Sequence, residues 1–151
     1  MDTHQASLKN TRNKTSYRKP KVKTILIIED DIDIQNFASR VLELEGYLVL
    51  KAGDGKTGME IISENTISLI LLDLRLPGPD GWSILREVKR DPKLSKIPIV
   101  VLTAIAESVQ RRRTLRMGAA QYLIKPLSAH SLSRSVASIL HRRESRYQTA
   151  R

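Results

Sequence analysis

The sequence predicts an α/β fold, a parallel sheet with helices packed on both faces, and three observations carry that prediction. Ile25-Leu26-Ile27-Ile28, Leu69-Ile70-Leu71-Leu72 and Ile99-Val100-Val101-Leu102 are continuous apolar runs, the pattern of strands buried on both sides. Amphipathic stretches of helical period lie between them. Each run stops at a polar residue: Glu29-Asp30-Asp31 after the first, Asp73 after the second, Thr103 after the third, and Lys125-Pro126 after the shorter run Tyr122-Leu123-Ile124. A parallel sheet gathers these residues at its carboxyl edge, where open α/β sheets place their ligand sites.

The elements follow in chain order. Residues 1–23 are polar and basic and are expected to form a disordered tail, with a boundary near Pro20. A single domain is expected over residues 24–142, and a basic tail over 143–151. The first strand covers 24–28. The helix after it runs from about Ile32 to Glu45, with Ile34, Ala38, Val41 and Leu42 on its buried face, and Gly46 stops it. Tyr47-Leu48-Val49-Leu50 makes a short second strand, and a helix from Gly55 to Glu64 carries Met59, Ile61 and Ile62. Strand 68–73, helix 81–90, strand 97–102, helix 105–117, strand 120–124 and helix 127–142 complete five βα units. Right-handed crossovers then stack the layers as αβα.

Composition excludes several function classes. The chain has no cysteine, so neither a disulfide framework nor a Cys-based metal site is possible. No apolar stretch approaches the roughly 18 residues that span a bilayer. The amino terminus lacks the apolar region of a signal peptide. A cytoplasmic protein without membrane insertion is expected. The net charge of +10 suggests nucleic acid until it is located. Seven cations face one acid in residues 1–23, and five face one acid from Arg134 onward, which leaves Thr24 to Ser133 formally neutral. The basicity belongs to the tails, which act either as solvated ends or as weak binders of acidic surfaces.

The strand ends carry the chemistry. Glu29, Asp30 and Asp31 facing Asp73 concentrate negative charge, and carboxylate oxygens with backbone carbonyls suit Mg²⁺ or Mn²⁺. Mg²⁺ keeps several waters, so a site with one or two carboxylates leaves positions open for phosphate oxygens. The metal, Lys125 and the Thr103 hydroxyl would together orient a phosphoryl group, with a carboxylate as acceptor. The plainer alternative is that Asp30 or Asp31 caps a helix and Thr103 another. Any one residue alone fits that alternative; the whole set at matching ends of four strands does not. Pro126 restricts the backbone after Lys125, and a cis bond there would hold the ammonium inward.

With these motifs on the page, Thr24 to about His141 resembles the receiver domain of bacterial two-component response regulators. That resemblance implies a flavodoxin-like (CheY-like) fold, five parallel strands in the order 2-1-3-4-5 with five helices. It implies that Asp73, within Leu71-Leu72-Asp73-Leu74-Arg75-Leu76-Pro77, is the phosphoacceptor. Asp30 would be a direct metal ligand, Glu29 a ligand through water, and the Arg75 carbonyl a further one. Thr103 in Leu102-Thr103-Ala104 resembles the switch threonine, Lys125 the phosphoryl-binding lysine, and Tyr122 the aromatic switch. Thr103 would move to the phosphoryl group and open space for Tyr122, whose plainer reading is a half-buried strand aromatic. The donor would be a histidine kinase or a histidine phosphotransfer protein. Ile34, Phe37, Pro126 and Leu127 resemble positions that dock it, although Phe37 also fits an aromatic at the core edge.

Output is less determined. The fourth helix reads Gln110-Arg111-Arg112-Arg113-Thr114-Leu115-Arg116, and a face so basic would repel its own copy in a two-fold dimer. It serves an acidic partner or simply faces solvent. No helix-turn-helix fits after Lys125, so a stand-alone phosphorelay receiver is expected, a signalling protein and not a turnover enzyme. The alternatives are a nucleic-acid-binding regulator using the basic tails, which lack aromatic interleaving, or a receiver module detached from a hybrid kinase. Arg75 and Ile105 are expected to flank the phosphoryl group, and neither orients an attacking water, so slow hydrolysis is expected.

Overall fold

The computed structural model describes residues 21–104 and 107–149. Five strands form one parallel sheet: β1 (Thr24–Ile28), β2 (Leu48–Ala52), β3 (Leu69–Asp73), β4 (Ile99–Thr103) and β5 (Gln121–Ile124). They alternate with α1 (Ile32–Leu44), α2 (Gly55–Glu64), α3 (Gly81–Arg90), α4 (Ser108–Arg116) and α5 (Ala129–Thr149). The spatial order is β2-β1-β3-β4-β5, all neighbours parallel, as expected. Every residue of β3 and β4 is buried, because helices cover both faces of these central strands.

Alternating side chains divide the interior into two cores. Leu26, Ile28, Ile70, Leu72, Val101 and Tyr122 meet Ile62 of α2 and Ile84, Leu85 and Val88 of α3. Ile25, Ile27, Leu71, Val100 and Leu123 meet Ala38 and Leu42 of α1 and Leu132, Val136 and Leu140 of α5. The first helix differs from expectation in one respect. Its buried residues are Ala38 and Leu42 together with Gln35 and Ser39, whereas Ile34 and Val41 are only half-buried.

Several ends also differ. The second strand extends to Ala52, since Ile28 pairs with it in register. The fourth strand begins at Ile99, after Pro98, and runs on to Thr103. The fourth helix is shorter than 105–117, and its position 105 and 106 lie outside the described residues. The last helix starts two residues later than expected because Ser128 caps it, its hydroxyl accepting from Ser131 N at 3.0 Å. It continues through residue 149, past the expected end at 142. No Gly or Pro interrupts Ala129–Thr149, and Lys23 at the foot of β1 pairs with Glu144 at 3.0 Å. Residues 1–20 of the expected 1–23 tail and the last two residues lie outside the described residues.

The loop after Asp73 is closed from beneath. Gly81 N donates to Leu74 O at 3.0 Å, and Asp80 caps α3 by accepting from Ser83 N at 2.9 Å. At Gly81 the backbone of α3 passes so near β3 that a Cβ would collide with the Asp73 carbonyl oxygen and lie 2.5 Å from Leu74 Cα. Only glycine fits there. Gly81→Ala is therefore expected to cost about 1–3 kcal/mol through forced backbone displacement. Urea unfolding should show a lowered midpoint with an unchanged slope, and an unshifted midpoint would contradict the close approach.

Candidate functional site

The expected strand-end residues do converge. Glu29, Asp30 and Asp73 each bring a carboxylate oxygen within 4.8 Å of the others. Lys125 Nζ lies 2.7 Å from Glu29 Oε2 and 3.0 Å from Asp73 Oδ2. Asp73 Oδ1 accepts from Arg75 N at 3.0 Å, so both oxygens of this carboxylate are engaged. Lys125 N donates to Thr103 O at 2.8 Å, which docks the end of β5 beside the end of β4. The Lys125–Pro126 peptide bond is cis.

The choice between the two adjacent aspartates is settled by capping. Asp31 is the N-cap of α1, its Oδ1 accepting from Asp33 N at 2.9 Å and from Ile34 N at 3.2 Å. The Asp30 carboxylate makes no such cap, and Asp30 lines a cleft with Leu74, Arg75, Leu76, Pro77, Asp80 and Trp82. The fourth helix is capped from Glu107 and without a side-chain hydrogen bond, so Thr103 is not a helix cap either.

Two carboxylates share one ammonium, and the balance of charge shows in the acid. Burial pushes the Glu29 carboxyl up to about 7, against the pull of Lys125 and with the Asp73 charge adding to the rise. Burial works to lower the Lys125 ammonium, but its bonds to Glu29 and Asp73 outweigh that and hold it above an ordinary lysine. The pocket is thus short of positive charge. Its oxygen donors and that deficit fit a hard divalent cation, held by Asp30 and Asp73 with Glu29 behind them. Arg75 borders the same cleft as Asp30.

Thr103 is fully buried, and Tyr122 is 5% exposed. Burial raises the Tyr122 hydroxyl's pKa, and the neighbouring Thr103 hydroxyl works to lower it. Tyr122 lies in the interior, in the same core cluster as Val101 and Ile84. Ile105 lies outside the described residues, and the Arg75 side chain is exposed. Asp33, Ile34, Phe37, Lys125, Pro126 and Leu127 line one apolar cleft beside Asp73, which brings the four expected docking residues together. Phe37 is 42% exposed, too open for a core aromatic.

One contributor escaped the sequence analysis. Gln35 is buried, and its Nε2 donates to Glu29 O at 3.1 Å and Ala52 O at 3.2 Å, fixing the main chain that carries the acidic pair. A polar side chain between Ile34 and Ala38, on the inward side of an amphipathic helix, was the available signal.

A family model described as the response regulator receiver domain matches residues 25–137. Among curated proteins, the phosphate regulon transcriptional regulatory protein PhoB of Pseudomonas aeruginosa is 37% identical over 120 residues, covering 80% of this chain and 52% of that protein. The DNA-binding dual master transcriptional regulator RpaA of Synechocystis is 35% identical over 127 residues, covering 84% and 53%. The chain spans about half the length of the curated relatives it matches. Among solved structures, a putative response regulator from Chloroflexus aurantiacus superposes with a TM-score of 0.76 at 31% identity, covering 80% of this chain and 99% of that one. A CheY-like receiver domain protein from Methanospirillum hungatei gives 0.78 at 27% identity, covering 83% and 99%.

The raised Glu29 acid has a consequence for stability. Between its ordinary value of 4.5 and about 7, the folded protein holds a proton that the unfolded chain releases. This group's contribution is full below about pH 4.5 and is lost as pH rises through 7. Glu29→Gln, which fixes the neutral form, should be more stable than the parent at pH 8 without divalent metal, and should lose that part of the pH slope. Urea midpoints measured from pH 5 to 8 check this; a variant less stable than the parent at pH 8 would contradict it.

Proposed function

The chain belongs to the response regulator receiver domain family, and on that premise we propose that it is a phosphoacceptor of a two-component or phosphorelay system, phosphorylated on Asp73. The observation that carries the reading is the pairing of Asp73 Oδ2 with Lys125 at 3.0 Å inside a group of three carboxylates at the sheet's carboxyl edge. A histidine kinase or histidine phosphotransfer protein is the donor. An Asp73 oxygen forms the new O–P bond as the donor's N–P bond breaks, and the imidazole leaves as the neutral base after taking up a proton. Lys125 holds a phosphoryl oxygen in place of its present bond to Asp73. Mg²⁺ (or Mn²⁺), held by Asp30, Asp73, the Arg75 carbonyl and, through water, Glu29, supplies charge neutralisation for the phosphoryl oxygens.

The response begins at Thr103. Its hydroxyl lies near Tyr122, and the phosphoryl group, with a charge of order −2, attracts that hydroxyl. Once Thr103 turns to the phosphoryl oxygen, space opens for Tyr122, and the α4–β5 surface shifts with it. The reading places the chain in the cytoplasm; among the described residues no helix is long and apolar enough to cross a membrane. The site favours this function over nucleic-acid binding through the tails, because the convergent chemistry sits at the strand ends.

Two measurements test it. Acetyl phosphate with Mg²⁺ should add one acid-labile phosphoryl group, and Asp73→Asn should abolish it; persistent labelling of the variant would refute Asp73 as acceptor. Phe37→Ala should slow phosphorylation by a kinase about ten-fold while sparing the acetyl phosphate reaction, since the loss of a central apolar anchor costs about 1–2 kcal/mol at a protein interface. Equal slowing with both donors would mean that Phe37 supports the fold and does not dock the donor.

A further inference from the structure

The acidic cleft and α4 share a side chain contact outside the Thr103–Tyr122 pair. Trp82, in the first turn of α3, lines the cleft that contains Asp30, Arg75 and Asp80. The guanidinium carbon of Arg113, on α4, lies 4.7 Å from the centroid of the Trp82 ring. One face of the indole thus carries a cation from α4 while the residue forms part of the wall beside Asp30.

The fourth helix packs against β5 but buries little of itself. Thr114 is its one buried residue, and its hydroxyl bond goes to Gln110 of the same helix. Val109 is 65% exposed and Leu115 39%. Among the described residues no carboxylate pairs with Arg111, Arg112 or Arg116. Arg112 and Arg116 stand one turn apart and repel each other. A helix so lightly anchored takes its position from the contacts it does make.

We propose that Arg113 is a positioning residue acting through Trp82, so that filling the acidic cleft with a divalent cation and the placement of α4 are energetically coupled. The proposal deepens the phosphoacceptor reading and rests on the same cleft. The coupling is reciprocal: a cation that orders the loop from Arg75 to Trp82 steadies α4, and an α4 held by its stack steadies the loop. It runs along the side of α3, whereas Thr103 and Tyr122 act through the ends of β4 and β5. A guanidinium over the half-buried indole sets the scale, about a two- to five-fold change in equilibrium.

Hydrogen exchange of the amides in Ser108–Arg116, with and without Mg²⁺ alone, tests this, using the full chain. Mg²⁺ should slow α4 exchange about two- to five-fold in the parent and in Arg113→Lys, which keeps a cation over the ring. In Arg113→Ala the Mg²⁺ response of α4 should vanish, although acetyl phosphate still labels Asp73. Emission of Trp82, the single tryptophan, should change in Arg113→Ala and be largely restored in Arg113→Lys. An α4 that answers Mg²⁺ equally in Arg113→Ala and in the parent, or a parent α4 indifferent to Mg²⁺, overturns the coupling. A parent that is not labelled at Asp73 while its α4 responds to Mg²⁺ overturns the phosphoacceptor reading and leaves the coupling standing.

Discussion

One ammonium serves two buried carboxylates, and the rest of the site is arranged around that shortage. Lys125 reaches Glu29 and Asp73 from the end of β5, three strands along the sheet from the strand that leads into Glu29. Breaking one partner out of a buried ion pair leaves the other charge uncompensated, a larger loss than the pair itself gains. The three strand ends are therefore held at a fixed spacing by a cation that does not satisfy them. Burial above all, with the Asp73 charge adding to it, pushes the Glu29 acid up to about 7 despite Lys125. A metal-binding, phosphoryl-accepting pocket needs that property, because it must draw in positive charge and then release Lys125 to a new oxygen.

Backbone features keep the pocket from collapsing. Gln35 pins the Glu29 and Ala52 carbonyls, Gly81 lets α3 pass against the Asp73 main chain, and Asp80 caps the helix that closes the loop. Each constrains where a carboxylate can sit, which is how a sheet edge becomes a site of defined geometry.

The central strands and the acceptor were legible in the sequence because burial on both faces leaves a continuous apolar signature, and a polar residue at its end then stands out. Asp73, Thr103 and Lys125 were readable for that reason. The division of labour between Asp30 and Asp31 came from the family resemblance alone, since any aspartate can cap a helix or bind a metal, and the bonds from Asp33 N and Ile34 N assign the cap to Asp31. Gln35 was hidden because a polar residue on an amphipathic helix normally faces solvent. The reach of α5 was missed because the Lys23–Glu144 pair joins residues far apart in sequence.

The shared ammonium is the claim on which the account stands, and the stability of Lys125→Met at pH 8 addresses it directly. Without divalent metal, urea unfolding should show a loss of about 3 kcal/mol relative to the parent, as expected when one partner of a buried ion pair is removed. Saturating Mg²⁺ should recover much of that loss, because a second cation then answers the same carboxylates. A Lys125→Met protein as stable as the parent in the absence of metal would contradict the account.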